Sequence, residues 1–112
     1  MAATDPRNIT AGTTIPSEGY CDQPYIIKAD DGAWVCTMTT GTGNEGDKGQ
    51  HVITMRSFDR GVSWVDIADV EPSDGPEASY SVLFKTPYGR IYCLYNYNTD
   101  RVPEVKREDS GV

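Results

Sequence analysis

The sequence predicts an all-β fold, and three observations support this prediction. Short runs of apolar and β-branched residues recur along the chain, and each is bounded by the Gly, Pro, Asp and Ser clusters typical of turns. Glycine and proline are frequent, with 11 and 7 copies among 112 residues. We find no segment with a convincing helical pattern. The predicted strands are residues 24–29, 33–40, 50–57, 64–70, 79–86 and 90–98.

An internal repeat relates the first predicted hairpin to the last one, at a shift of 57 residues. The residues that coincide are Lys28 with Lys85, Gly32 with Gly89 and Cys36 with Cys93. The second strand is largely apolar on both faces, and such a strand is normally covered on both sides. Stacked four-stranded antiparallel sheets of this kind are the blades of a β-propeller. The sequence therefore predicts a partial propeller, with one complete blade and part of another.

This organisation divides the chain into four segments. Residues 1–19 are predicted to be an extended arm, because they have little periodicity and are rich in Thr, Pro, Gly and Ser. Residues 20–70 form the first blade, residues 71–100 form the partial second blade, and residues 101–112 are a polar tail.

The turn between the third and fourth strands has its own hydrogen-bonding chemistry. It lies in the stretch MRSFDRGVSW, residues 55–64. Asp59 can accept backbone N–H groups of its own turn, and Gly61 can adopt a positive φ. The flanking hydroxyls of Ser57 and Ser63 can bond to the same turn, while the ring of Trp64 can cover the sheet. The spacing therefore predicts a hairpin clasp.

This stretch resembles the Asp-box, the repeat of bacterial neuraminidases with the pattern Ser/Thr-x-Asp-x-Gly-x-Ser/Thr-Trp. The positions filled are Ser57, Asp59, Gly61, Ser63 and Trp64. The resemblance extends over roughly residues 20–100 and implies a sialidase-like six-bladed propeller, of which the chain would hold about one and a half to two blades. In that family the Asp-box is structural and lies opposite the active site. We therefore assign it no catalytic or metal-binding role.

The resemblance also implies where a functional site would lie. In a sialidase-like blade the first strand starts at the functional face, and the loop between the second and third strands returns to it. This placement gives three catalytic candidates, which are Asp47, Glu45 and Asp22. The substrate-binding candidates on the same rim are Gln23, Glu77, Asn96 and Asn98, with Asp100 beyond them. Carboxylates and amides suit sugar hydroxyls, and a carboxylate pair can serve glycoside hydrolysis. Ordinary solvated loop acids are the competing interpretation.

One departure from the family bears on the substrate. Sialidases begin their first strand with Arg-Ile-Pro, and that arginine grips the carboxylate of sialic acid. The matching residues here are Asp22, Gln23 and Pro24, so an anion stands where the family has a cation. The family's tyrosine nucleophile and its glutamate partner come from later blades. The catalytic set is therefore incomplete in this sequence, and poor activity on sialosides is expected.

Charge and composition exclude other classes of function. Seventeen acidic residues face ten basic ones, for a net charge of −7, which disfavours nucleic acid and anionic membranes as partners. One histidine and three cysteines without a Cys-x-x-Cys pair give no reason to expect a metal, a disulfide framework or a cofactor. We also see no signal peptide and no apolar run long enough to span a membrane. The cellular location is left open.

Two functional hypotheses remain. The first is a sialidase-like exo-glycosidase, and the second is a non-catalytic propeller segment for carbohydrate binding or homo-oligomeric assembly. A single blade cannot cover its own two faces, because stacked repeats stabilise one another. The chain is therefore expected either to be a piece of a longer protein or to self-associate, with a ring of three copies as one hypothesis.

Overall fold

The computed structural model describes residues 5–99 and confirms the all-β prediction. Among these residues there is no α-helix, only one turn of 3-10 helix at Ile9–Ala11, where the Asn8 side chain accepts a hydrogen bond from Thr10 N. The predicted tail and Asp100 lie outside the described residues. The strands are β1 Tyr20–Lys28, β2 Trp34–Gly41, β3 His51–Ser57, β4 Val65–Asp69, β5 Ala78–Lys85 and β6 Ile91–Tyr97.

The strands form two antiparallel sheets. Strands β1 to β4 make a four-stranded sheet in sequence order, and β5 pairs with β6 in a two-stranded sheet. Strand β1 begins at Tyr20, four residues before the start that its apolar run predicts, because pairing with β2 continues past a bulge between Asp22 and Tyr25. Gln23 lies in this bulge with a φ of 47°. A bulge adds a residue to one strand and re-aims the side chains near it.

The structure reproduces the 57-residue repeat in its backbone. Strand β5 has the same register shift, between Ser79 and Val82, and Tyr80 has a φ of 55° where Gln23 has 47°. The two hairpin turns also match. Gly32 N donates to Ala29 O and Gly89 N donates to Thr86 O, both at 3.0 Å. The two hairpins therefore share the position of the bulge, the shift in strand register and the hydrogen bond that closes the turn.

The two-stranded sheet packs on one face of the four-stranded sheet, through β5 against β2 and β1. We call this face of the four-stranded sheet the threonine face, because it is formed by Val35, Thr37, Thr39 and their neighbours on β3. Thr37 Oγ1 donates to Ile53 O and accepts from Ser81 Oγ, both at 3.0 Å, and Tyr80 N donates to Thr39 Oγ1 at 3.2 Å. The second strand is therefore less apolar here than we expected, and its buried hydroxyls are paired as burial requires.

The opposite face of the four-stranded sheet holds the apolar core, and we call it the core face. Its buried cluster is Cys36, Met38, Ile53 and Met55, which face one another across β2 and β3. Burial raises the pKa of the Cys36 thiol to about 11, so this thiol stays protonated and packs as a small apolar group. All three cysteines are free. The cluster is small, as expected of a domain of this size.

The N-terminal arm, residues 13–18, covers the core face. Ile15 packs against the buried cluster, and Trp64 packs beside it. Polar contacts hold the two ends of the arm, with Thr13 Oγ1 donating to Gly61 O at 2.6 Å and Glu18 N donating to Thr40 Oγ1 at 2.9 Å. The arm thus spans the sheet from the β3–β4 turn to the opposite end.

The β3–β4 turn forms the clasp that its sequence predicts. Ser63 donates to Asp59 through both its backbone N–H and its hydroxyl, at 2.8 and 2.5 Å. Ser57 Oγ donates to Asp59 Oδ1 and accepts from Gly61 N at 2.7 Å. Gly61 has a φ of 84°. One carboxylate thus organises the whole turn.

These hydrogen bonds make the clasp sensitive to acid. Donation from the Ser63 side chain and backbone, and then from Ser57, lowers the pKa of Asp59 from 3.8 to about 2. A folded-state pKa below the unfolded one adds stability above about pH 4, and this contribution is lost as the pH falls through 2. We expect the stability difference between wild type and Asp59→Asn to shrink between pH 4 and pH 2. Urea unfolding of both proteins across this range measures it, and a difference independent of pH would contradict it.

Candidate functional site

The end of the sheets opposite the clasp gathers the loops that the sequence points to. The β2–β3 loop, residues 42–50, is closed by Asp47, whose Oδ2 accepts from Asn44 N at 2.7 Å. Gly43 lies against this carboxylate, where a side chain would collide with it. The buried Gln50 donates through Nε2 to Asn44 O at 2.9 Å and ties the loop to β3. This loop is therefore held in one shape by its own polar groups.

The linker between β4 and β5, residues 70–77, is tied to the same end. Ala78 N donates to Gln50 O at 3.3 Å, and Asn98 N donates to Glu77 O at 2.9 Å. The Tyr95 hydroxyl donates to Glu71, and this hydrogen bond raises the pKa of Tyr95. Tyr95 of β6 thus anchors the linker to the two-stranded sheet.

Two adjoining depressions lie between the loop, the linker and the strand ends. The first has a volume of about 540 Å³ and is lined by residues 46–49, residues 73–77 and Asn98. The second has a volume of about 190 Å³, and its lining residues are Tyr20, Asp22, Thr39, Glu45, Gly46, Gln50, Glu77, Ser79 and Tyr80. Gly46 and Glu77 line both depressions, so the two form one continuous surface, which we call the acidic rim.

Five of the seven predicted site residues lie on the acidic rim. Asp22, Glu45 and Glu77 line the smaller depression. Asp47 and Asn98 line the larger one together with Glu77. The remaining two, Gln23 and Asn96, are exposed and line neither depression. The fold thus brings together acids that are up to 55 residues apart in the sequence.

Two tyrosines of the smaller depression were not among the predicted site residues. Tyr20 lies two residues before Asp22, so strand alternation could have placed both on one side of β1. Tyr80 is the repeat equivalent of Gln23 and lies in the second bulge. Partial burial raises the pKa of Tyr20, and the carboxylates of Asp22 and Glu45 raise it further. The hydroxyl therefore stays protonated beside two anions and can donate a hydrogen bond.

His51 lies at the same end but belongs to the framework. Its side chain is buried, with Nδ1 2.7 Å from Gly49 O and Nε2 2.8 Å from Glu18 Oε2. Asp69 Oδ1 is 3.3 Å from the same Nε2. The imidazole thus links the N-terminal arm, β3 and the end of β4.

The chemistry of the acidic rim is that of hydrogen-bond acceptors. The smaller depression offers three carboxylates, two phenols and two hydroxyls, and none of its lining residues is Lys or Arg. Lys48 is the one basic residue lining the larger depression. Among residues 5–99 no three His, Cys, Asp or Glu side chains converge in a way that could hold a metal ion. Such a surface favours ligands that donate hydrogen bonds and repels anions.

Comparison with known proteins gives no relative: no protein family, curated protein or solved structure matches this chain. Within the described part of the chain, no helix has the length and apolar character needed to cross a lipid bilayer.

Proposed function

We propose that the chain is a sialidase-like propeller segment, one blade and half of the next, that binds uncharged glycans at the acidic rim. Three features of the structure support the blade assignment. The strand order is that of a blade, the hairpin β5–β6 stacks on β2 and β1, and the Asp-box lies between β3 and β4. The acidic rim lies at the end opposite the Asp-box, where the resemblance expects a functional site.

The proposal that the acidic rim binds glycans rests on one observation, which is that Asp22, Glu45 and Glu77 line the same depression. Carboxylates accept hydrogen bonds from sugar hydroxyls, and the exposed ring of Tyr80 offers a flat apolar surface beside them. Asp22 stands where a sialidase has its first arginine, so a sugar that bears a carboxylate would be repelled. The favoured ligand is a neutral saccharide.

Hydrolysis is the second candidate. Asp47 and Glu45 lie on the loop where the sialidase acid/base residue is expected, and paired carboxylates can act as acid and base. One carboxylate oxygen of Asp47 already accepts a hydrogen bond from Asn44 N. This loop-closing bond favours binding over turnover, because a general acid must keep a proton available for the leaving group.

Titration calorimetry with neutral monosaccharides and disaccharides tests binding. We expect Asp22→Asn and Glu77→Gln each to weaken a measured affinity by about tenfold, since each removes one charged acceptor. Asp31→Asn is the matched control, because Asp31 lies in the β1–β2 turn at the other end and asparagine keeps its bond to Ala33 N. Binding of sialic acid as tight as that of neutral sugars, or equal losses in the control, would contradict the proposal.

A panel of chromogenic glycosides tests hydrolysis on the same proteins. Turnover that is lost in Asp47→Asn, with sugar binding and the unfolding midpoint unchanged, would establish the enzyme. Binding without turnover would leave the non-catalytic function. We expect poor release of sialic acid from sialosides in either case.

A further inference from the structure

The outer face of the two-stranded sheet is apolar and uncovered in the described part of the chain. We call it the hairpin face, and it consists of Val82, Phe84, Tyr92 and Leu94, which pair across β5 and β6. Phe84 is 58% exposed and Leu94 is 54% exposed. Four large apolar side chains on one sheet face form a contiguous patch, and such patches mark interaction sites.

The repeat indicates what should cover this face. A shift of 57 residues places Val82 and Leu94 on Tyr25 and Thr37, which pair on the threonine face of the four-stranded sheet. That face is covered by the inward side of β5–β6, which carries Leu83 and Cys93. The hairpin face is therefore equivalent to the threonine face, and the threonine face is covered by another sheet.

The same shift identifies the surface that should do the covering. Leu83 and Cys93 are the equivalents of Ile26 and Cys36, which belong to the core face. Where the two sheets pack, the inward side of β5–β6, which is equivalent to the core face, thus covers the threonine face. The core face itself is the other surface of this kind in the described chain, and the N-terminal arm covers it.

The arm is an imperfect cover. It leaves Trp64 Nε1 buried with no hydrogen-bond partner among the described residues. A buried unpaired donor costs free energy, and a different occupant that supplied an oxygen would recover it. The hairpin face bears the hydroxyl of Tyr92, which is such an acceptor.

Charge favours the same partner. The hairpin between residues 78 and 97 contains Arg90 and Lys85, whose Nζ pairs with Asp30 Oδ1 of the same copy at 2.9 Å, and no Asp or Glu, in a chain whose net charge is −7. The hairpin of one copy is thus basic and the remainder of another copy is strongly acidic, and opposite charge steers such surfaces together.

We propose that the hairpin face of one copy binds the core face of a second copy and displaces the arm, residues 13–18. The contact joins two different surfaces, so a pair of copies retains one unoccupied hairpin face and one unoccupied core face. Repeated contacts of this kind close into a ring when the rotation permits. A ring of three is the closed form that the sequence hypothesis favours. The arm in this arrangement limits assembly, because it competes for the core face.

Light scattering on a sizing column, over a range of micromolar concentrations, tests this proposal. The full-length chain is expected to exceed the 12.3 kDa of one copy. Leu94→Lys is expected to be monomeric. Tyr88→Lys, at a fully exposed position in the turn between β5 and β6 and outside both sheet faces, is the matched control and should assemble as wild type does. A wild-type chain that stays monomeric, whatever covers its hairpin face, would overturn the proposal, as would assembly unaffected by Leu94→Lys.

The role of the arm has its own test. Ile15→Ser loosens the arm and should strengthen self-association by at least about tenfold. Thr13→Ala removes one hydrogen bond to Gly61 O and gives a milder version, should Ile15→Ser fail to fold. A dimer through two hairpin faces would leave the core face unused, so assembly indifferent to both arm variants would overturn the head-to-tail arrangement. These outcomes do not depend on sugar binding, which calorimetry measures separately.

Discussion

Met38→Ala is expected to lower the free energy of unfolding by about 3 kcal/mol. Met38 is only 1% exposed and lies in the middle of the four-residue cluster on the core face. Among the described residues, Ile15 of the arm and Trp64 are the partly buried apolar side chains that pack against this cluster. Truncation to alanine removes the buried side chain from these contacts and leaves a cavity. Urea unfolding followed by tryptophan fluorescence measures the change.

Ile67→Ala is the control for this substitution. Ile67 is apolar but 53% exposed on the edge strand β4, so its truncation should cost less than about 0.5 kcal/mol. Equal losses for the two variants would show that the cluster on the core face is not the principal source of stability.

Gly61→Ala is expected to cost about 2 to 3 kcal/mol through two separate effects. Gly61 has a φ of 84°, and an L-residue pays roughly 1 to 2 kcal/mol in this conformation. A Cβ at this position would also lie 3.1 Å from the ring of Trp34, closer than carbon atoms normally approach. The ring is half-buried, and it would have to shift by a few tenths of an ångström to accept the Cβ.

Gly46→Ala separates these two effects. Gly46 has a φ of 86°, almost the same as that of Gly61, but a Cβ there would meet nothing within 4 Å. Gly46→Ala should therefore lower the free energy of unfolding only through the positive φ, by roughly 1 to 2 kcal/mol. If both variants lost the same stability in chemical unfolding, the close approach of Gly61 to Trp34 would have no energetic role.

The sequence predicts those parts of the fold whose causes are local. Turn residues such as Gly32 and Gly89 bound the strands, and apolar alternation fills them, so all six strands could be located. The bulge at Gln23 could not be foreseen, because proline at position 24 suggests the start of a strand rather than its interior. The Asp59 clasp was predictable in detail, since every atom that it uses lies within seven residues.

The candidate site divides in the same way. The resemblance to a sialidase-like blade predicts that Asp22, Glu45 and Glu77 lie at one end of the sheets, and the structure shows them in one depression. Whether a side chain at that end lines the depression depends on the pleat and the bulge, so Gln23 and Asn96 were expected there and lie outside it. The partners of His51 lie 33 and 18 residues away, and nothing in the local sequence identifies Glu18 or Asp69 as such.

The hydroxyl pairs between the two sheets have a consequence for the alignment of the β5–β6 hairpin. An apolar interface would tolerate slippage by a residue pair, because dispersion forces have little directionality. Here a slip of two residues would break the Thr37–Ser81 bond and the Tyr80–Thr39 bond together and leave the buried Ser81 hydroxyl without its partner. The hairpin can therefore settle in one position only. Because Tyr80 and Ser79 also line the smaller depression, the same two bonds fix the shape of the acidic rim.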